Sequence, residues 1–460
     1  MIDAAALSTF GDGFEGEVVV PGSGGYDAAR AVWNGMIDRR PAVVARCEGV
    51  GDVIRSIRFG RDHDLPIAVR SGGHSIGGFS TCDDGIVVDV SRLHGVEVDP
   101  AARVARVRGG SLLRELDEGA QVHGLVCPVG VVGHTGVAGL SLGGGMGRLQ
   151  RRLGLTVDNF VAVELVTADG DVLRVSEDEH PELFWALRGA GPNFGIVTAF
   201  EFRLHPLDPT VTNGLIAFPE ERRREVAAIV REAVTTVADE VMVTVGFGTA
   251  TPGFVEALAG RPFLAVGTTF SGIPAEADAT LAPLLAPLRA LGPVEDTVRS
   301  RAYLDLQTMS DAEMGWGKRF YMKGGFLGEL TDGFVDAALE RCEGAPSPGC
   351  SITLWAMGGA ITRTPDDAMA FAGRSAAFWL GVEAEWDDAA VDDDHVAWSR
   401  DAMGALEPFT GRNHYVNDMV ERGEDVVRSV YGPEKYERLV GLKRTYDPEN
   451  VFRLNQNIRP

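Results

Sequence analysis

Arg70-Ser71-Gly72-Gly73-His74-Ser75 and, some sixty residues later, Thr135-Gly136-Val137-Ala138-Gly139-Leu140-Ser141-Leu142-Gly143-Gly144-Gly145-Met146-Gly147 are the two runs whose reading decides the fold. Paired glycines let backbone N–H groups approach a phosphate without a Cβ in the way, and successive amides form an anion-binding nest. A histidine beside such a loop, outside any periodic element, is placed to meet what the loop holds. Taken singly, either run reads equally well as a tight turn, with His74 a surface histidine.

Outward from the first run the pattern is βαβ. Residues 41–46 read as a strand, Val53, Ile54 and Ile57 mark a helix, and 66–70 form a second strand that delivers the chain into 71–75. Open α/β sheets place ligand loops at the carboxyl ends of strands in this way. Ala29, Val32, Trp33, Met36 and Ile37 have helical spacing and predict an amphipathic helix over 26–39. Strands follow at 85–90 and 104–108, then a helix from Ser111. Residues 161–167 and 172–175 form a hairpin about Ala168-Asp169-Gly170-Asp171, and a long strand covers 193–202. From 207 to 409, strands of alternating pattern (241–247, 263–270, 351–357, 378–386) are separated by helices rich in alanine and acid. That pattern predicts a mainly antiparallel sheet covered by helices on one face. The fold class is α+β, with expected divisions at 1–206, 207–409 and 410–460.

The chain has 460 residues, 45% of them apolar and 24% charged, enough to bury a proper core. A net charge of −23 lacks the basic footprint that nucleic acid or an anionic membrane requires. All but four of the 43 basic residues are arginine. No run approaches 18 uninterrupted apolar residues, and Met1-Ile2-Asp3 puts an acid where a signal segment needs bases. Five cysteines (47, 82, 127, 342 and 350) contain no CxxC pair and point to a reducing, cytoplasmic setting. The nine histidines show no zinc-ligand spacing, so no metal is expected.

Two familiar motifs compete with this reading. Gly11-Asp12-Gly13-Phe14-Glu15-Gly16 matches GxGxxG, but it leaves a helix-like stretch and enters Glu17-Val18-Val19-Val20, the reverse of a dinucleotide fingerprint. Gly139-Leu140-Ser141-Leu142-Gly143 matches the GxSxG of serine hydrolases, with Ser141 as nucleophile. That serine needs a turn feeding a helix, and three glycines follow here instead.

The two runs are accompanied by Asp158-Asn159, Glu182-Leu183-Phe184-Trp185-Ala186-Leu187-Arg188-Gly189, Gly191-Pro192-Asn193-Phe194-Gly195, Tyr446-Asp447-Pro448-Glu449-Asn450-Val451-Phe452 and Asn455-Gln456-Asn457. In this order they resemble the vanillyl-alcohol oxidase/p-cresol methylhydroxylase (PCMH-type) superfamily. Residues 40–206 resemble its FAD-binding domain, and 410–460 resemble the C-terminal segment of its berberine-bridge-enzyme-like branch.

The resemblance implies two subdomains clasping FAD under a substrate domain, with the flavin 8α-methyl carbon bonded covalently to His74. Implied cofactor contacts are Arg70, Ser71, Gly72, Gly73, Ser75, Thr135, Gly136, Val137, Gly139, Leu140, Gly143, Gly144, Gly145, Gly147, Asn159, Gly191, Asn193, Gly195, Ile196, Val197, Asn455 and Asn457. Many relatives add a second link through a cysteine eleven positions before the GGG triplet; Val132 stands there. Cys127 reads as a buried structural thiol. A single link is therefore expected, as in the subgroup that includes 6-hydroxynicotine-type amine oxidases.

The implied activity is oxidation of a small organic alcohol, amine or secondary metabolite by hydride transfer to flavin N5, with O2 as co-substrate and H2O2 as product. A dehydrogenase or an internal oxygenase would share the cofactor site and differ in electron fate. Tyr415, in Tyr415-Val416-Asn417, matches a family motif near the flavin and is the catalytic candidate. Its alternative is packing of the ring at the domain seam, with its hydroxyl capping a backbone carbonyl. Glu383 is a rival base, with an exposed carboxylate as its simpler reading.

Overall fold

Ile67–Arg70 is the edge strand of a four-stranded sheet in the order Glu17–Val19, Val43–Arg46, Ile86–Asp89, Ile67–Arg70. The last three strands are parallel, and Glu17–Val19 is antiparallel to Val43–Arg46. Helix Val50–Asp62 carries the chain from Val43–Arg46 to Ile67–Arg70, and Ile86–Asp89 later inserts between them. Every residue of Ile86–Asp89 is buried, as a parallel strand covered on both faces should be. The structure, a computed structural model, describes residue 2 and residues 4–411 and 414–460. Met1 and Asp3 of the N-terminal stretch lie outside the described residues.

A second, antiparallel sheet runs Val96–Asp99, Val104–Arg108, Ile196–Arg203, Phe160–Val166, Val172–Ser176. Its last pair is the hairpin expected around Gly170, which takes a positive φ of 86° in the turn. The third and largest sheet orders Glu295–Asp296, Thr210–Pro219, Pro262–Phe270, Val241–Thr249, Cys350–Ala356, Phe378–Trp386 and Arg319–Leu327. Arg299–Ala302 also pairs with Thr210–Pro219.

The alternation read in this region has a direct consequence. Phe378, Leu380, Val382, Ala384 and Trp386 share one core with Leu339, Trp398 and Leu406 of helices Asp332–Glu343 and Asp392–Leu406. Each such large side chain contributes about 1.5–3 kcal/mol on burial. The intervening Trp379 and Glu383 face the other way, into a cavity. Among the described residues, no helix is long and apolar enough to cross a membrane.

The chain returns to its first half through helix Glu424–Tyr446, which breaks at Gly432 (φ 74°) before Pro433. Tyr431 Oη donates to the Gly189 carbonyl at 3.1 Å. Near the helix end, fully buried Lys443 reaches Asp447 Oδ2 (2.6 Å) and the carbonyls of Asn193 (2.7 Å) and Phe452 (3.0 Å). The Tyr446–Phe452 stretch is thereby tied to the 191–193 turn.

Two expected elements are shorter than the pattern suggests. The helix over 26–39 exists only as Tyr26–Arg30, because tertiary hydrogen bonds capture the residues after Arg30. The Trp33 N–H donates to Gly73 O at 3.1 Å and the Gly35 N–H to Lys318 O at 2.8 Å. The strand expected over 193–202 is Ile196–Arg203, since Gly191–Asn193 coils into a 3-10 turn. The GxGxxG run binds its own chain: the amides of Glu15 and Gly16 donate to the Asp52 carboxylate at 2.9 and 3.0 Å.

Candidate active site

Both glycine runs meet at one cavity of about 550 Å³, within the range of small-molecule sites. They touch backbone to backbone: a Cβ on Gly72 would lie 2.2 Å from the Gly136 nitrogen, and one on Gly136 would lie 2.3 Å from the Gly72 nitrogen. Only glycine at both positions permits this approach. The second run is not an extended loop. Its first half is helix Val137–Gly143, and Gly139 on that helix borders open space along the cavity floor.

His74 lines the cavity between aromatic neighbours. Trp33 stacks on its ring at 4.7 Å between centroids and 18° between planes, and Trp316 stands edge-on at 6.5 Å. Its Nε2 lies 2.6 Å from His134 Nδ1, and His134 Nε2 lies 3.2 Å from the Asp311 carbonyl oxygen. Burial, with His134 adding to it, pushes the His74 imidazole down to about 3, so its nitrogens are uncharged near neutral pH.

The roof comes from the large sheet. Thr353, Trp355, Trp379, Phe320 and Met322 present a largely aromatic and apolar surface, interrupted by the carboxyls of Glu383 and Asp418. Asp418 Oδ2 accepts from Trp379 Nε1 at 2.6 Å. Burial lifts the Asp418 carboxyl to about 8 against that hydrogen bond, with Glu383 raising it further. Burial, assisted by Glu385, lifts Glu383 to about 7. Glu383 is therefore not the exposed carboxylate of its simpler reading. It belongs to the strand face that the sheet turns inward.

Among the expected cofactor contacts, Ser71, Gly72, Gly73, His74, Ser75, Thr135, Gly136, Gly139, Leu140, Gly143, Asn193 and Asn455 line this cavity. The remainder sit behind it, each for an identifiable reason. Arg70 turns away, donating to Ala29 O at 2.5 Å. Val137 is fully buried on the inner side of its helix. Gly144, Gly145 and Gly147 are small because Phe371, Thr156 and Val129 press on them, and Leu142 presses on Gly191 in the same way. Asn159 is structural: its Nδ2 donates to the carbonyls of Leu153 and Leu155, and its Oδ1 pairs with His205. Ile196 and Val197 belong to the second sheet, and Gly195 immediately precedes that strand. Asn457 stands just beyond the lining Gln456.

Tyr415 lines the cavity, yet its hydroxyl oxygen is already engaged. It accepts from the Gly145 amide (2.9 Å) and from Asn417 Nδ2 (2.8 Å), and burial with Asp418 nearby holds it well above the usual phenol range. The oxygen thus caps a backbone amide, not the carbonyl of the packing alternative. Ser141 is fully buried within its helix, and its Oγ has no hydrogen-bond partner among the described residues, so the hydrolase arrangement is absent there. Cys127 is buried away from the lining, whereas Val132 borders the cavity.

Trp33, His134, Asp311 and Asp418 were missed by sequence reasoning. His134 stands inside the stretch leading to the second run, where a titratable residue beside Gly133 was the available signal.

An FAD-type ligand fits these residues. The side-chain carbonyl oxygens of Asn455, Gln456 and Asn457 are buried without partners among the described residues and suit donors on such a ligand, while the Gly139 floor leaves room that a Cβ would fill.

Comparison with known proteins agrees. Residues 41–176 match the family model described as "FAD binding domain", and 414–459 match "Berberine and berberine like". The chain is 35% identical to (R)-6-hydroxynicotine oxidase of Paenarthrobacter nicotinovorans over 97% of each protein. It superimposes with a TM-score of 0.86 on a crystal structure of 6-hydroxy-D-nicotine oxidase from Arthrobacter nicotinovorans, at 33% identity over 97% of this chain and 98% of that one. A xylooligosaccharide oxidase from Myceliophthora thermophila shares the fold, with a TM-score of 0.87 at 23% identity over 99% of each chain.

Proposed function

The chain belongs to the berberine-bridge-like branch of the FAD-linked oxidoreductases, and on that premise we propose that it is an oxidase of small organic amines or alcohols whose FAD is bonded to His74. The observation that carries this reading is a single cavity lined by His74, by both glycine runs and by the Glu383 carboxyl. When bound, FAD supplies a two-electron acceptor at N5 that O2 reoxidises, with H2O2 as product.

The chain's own part begins with binding. The 71–75 and 136–140 backbones would bear on the cofactor, and Asn455 and Gln456 would offer it their unpartnered side-chain oxygens. Individual hydrogen bonds of this kind are worth about 0.5–1.5 kcal/mol net. The walls of Trp355, Trp379, Phe320 and Met322 exclude water and orient a flat, apolar substrate. Glu383 accepts the substrate's N–H or O–H proton. Its partner Asp418, held by Trp379, retains its own proton to higher pH. Among the described residues no lysine or arginine lines the cavity, so two carboxyls meet the substrate without a countercharge. That favours an amine over an anionic substrate.

We read residues 1–206 as the FAD-binding part, 207–409 as the substrate part and 410–460 as the returning segment. Five buried, unpaired cysteines support a reducing, cytoplasmic setting.

The test is direct. Purified protein should be yellow, should keep its flavin through acid precipitation, and should release H2O2 with a member of an amine, alcohol and sugar panel. Colourless protein sinks the flavin reading. Slow reoxidation of reduced enzyme in air, without peroxide, sinks the oxidase reading in favour of a dehydrogenase.

A further inference from the structure

Two rings and a carbonyl form a chain at the edge of the cavity: His74 Nε2 to His134 Nδ1 at 2.6 Å, and His134 Nε2 to Asp311 O at 3.2 Å. A carbonyl oxygen only accepts, so His134 carries its hydrogen on Nε2. In a neutral imidazole the other nitrogen is then bare, and His134 Nδ1 accepts from His74 Nε2–H. This leaves Nδ1 of His74 as the nitrogen with a free lone pair, and it makes no hydrogen bond to a described residue. Stacking on Trp33 holds the ring in this orientation. The carbonyl that begins the chain belongs to the 308–317 segment. That segment is pinned by the Gly133 N–H on Asp311 Oδ1 (2.6 Å) and by Trp33 Nε1–H on Met314 O (2.7 Å).

Resting on the reading that His74 carries the flavin, we propose that His134 is the positioning residue for that attachment. It selects Nδ1 of His74 as the bonding atom and receives the Nε2 proton as the bond forms. The balance closes with the co-substrate already invoked. The Nδ1–C8α bond forms and one C–H bond of the 8-methyl group breaks. That proton and the His74 Nε2 proton, with the two electrons released, reduce one O2 to H2O2. The docked 308–317 segment thereby governs attachment, because its backbone sets the tautomer of both rings.

The experiment follows attachment rather than turnover. Apoprotein is mixed with FAD in air, quenched with acid at intervals, digested, and read as flavin-peptide mass on the His74 peptide; NMR of the isolated peptide assigns the bonded nitrogen. Noncovalent FAD affinity, from fluorescence quenching, and circular dichroism report folding separately. Wild type should link through Nδ1. His134→Leu should bind FAD with unchanged affinity but attach it roughly 100-fold more slowly, the scale of a positioned proton acceptor. His134→Asn, whose side-chain amide oxygen can replace the accepting Nδ1, should recover most of the rate. A wild-type link at Nε2 overturns the proposal, as does attachment at Nδ1 in His134→Leu at the wild-type rate. If His134→Leu does not fold, failure of His134→Asn to attach faster than one-tenth of wild type overturns it instead. A wild type with no flavin on the His74 peptide is a distinct result and removes the covalent reading itself.

Discussion

A carboxyl lifted to about 7 remains protonated through the acid range, so Glu383 accepts a substrate proton only as pH rises through 7. The expected kcat/KM profile therefore has an acid limb near 7, and Glu383→Gln should lower kcat by about 10²–10⁴-fold without that limb. Stability should move the other way. The unfolded carboxyl ionises near 4.5 and the folded one near 7, so the folded state holds a proton that the unfolded state has lost. Stability thus falls as pH rises from 4.5 to 7 and levels above it. Glu383→Gln removes that fall, and thermal melts at pH 5 and pH 8 should show the variant gaining on wild type only at pH 8. At this scale His74 was legible because glycines flank it in a recognisable order. Glu383 was misjudged because alternation in 378–386 shows two faces without saying which one meets a ligand. Asp418 was overlooked because burial of a lone acid has no local signature.

Tyr415 and Lys443 show what elements require of single side chains. Tyr415 Oη satisfies the Gly145 amide and Asn417, joining the end of the second run to the 415–418 turn. Tyr415→Phe leaves those donors unpaired at about 1–3 kcal/mol, so the melting temperature should drop while the acid limb near 7 stays in place. A shifted limb would return the proton-handling role to Tyr415. Lys443 is fully buried on Asp447. Lys443→Met strands that carboxylate and should cost about 3–5 kcal/mol, read as a lower denaturant midpoint with an unchanged m-value. Most strands and the βαβ unit were legible from periodicity and turn residues. The helix over 26–39 was not, because its apolar spacing is genuine while the bonds that unwind it come from Gly73 and Lys318, distant in sequence.

For the whole molecule, the cofactor cavity lies between the glycine-run floor and the large-sheet roof, so ligand and fold should be thermodynamically linked. A covalently held group adds stability that does not depend on free ligand, whereas a dissociable one adds RT ln(1 + [L]/Kd). His74→Ala should fold, bind FAD reversibly and reduce it more slowly. Its melting temperature should climb with added FAD, while that of wild type stays constant. A wild-type melting temperature that also rises with FAD would contradict the single covalent link. The order of the large sheet was not legible at all: Cys350–Ala356 and Phe378–Trp386 join Val241–Thr249 and Arg319–Leu327 through pairings that no local pattern encodes.

The division of labour along those strands has an evolutionary consequence. Alternate residues anchor the sheet to its helices, while their neighbours face the cavity and some of them also tie the sheet to the rest of the chain: Phe320 packs against Trp33, and Trp379 donates to Asp418. Thr353 and Trp355, the half-buried residues of that face, can accordingly diverge with least disturbance to the architecture that displays them. A combinatorial library confined to these two positions should stay predominantly folded and flavin-loaded while its members part company in the molecules they oxidise, a result that soluble yield, flavin absorbance and peroxide screening would read together.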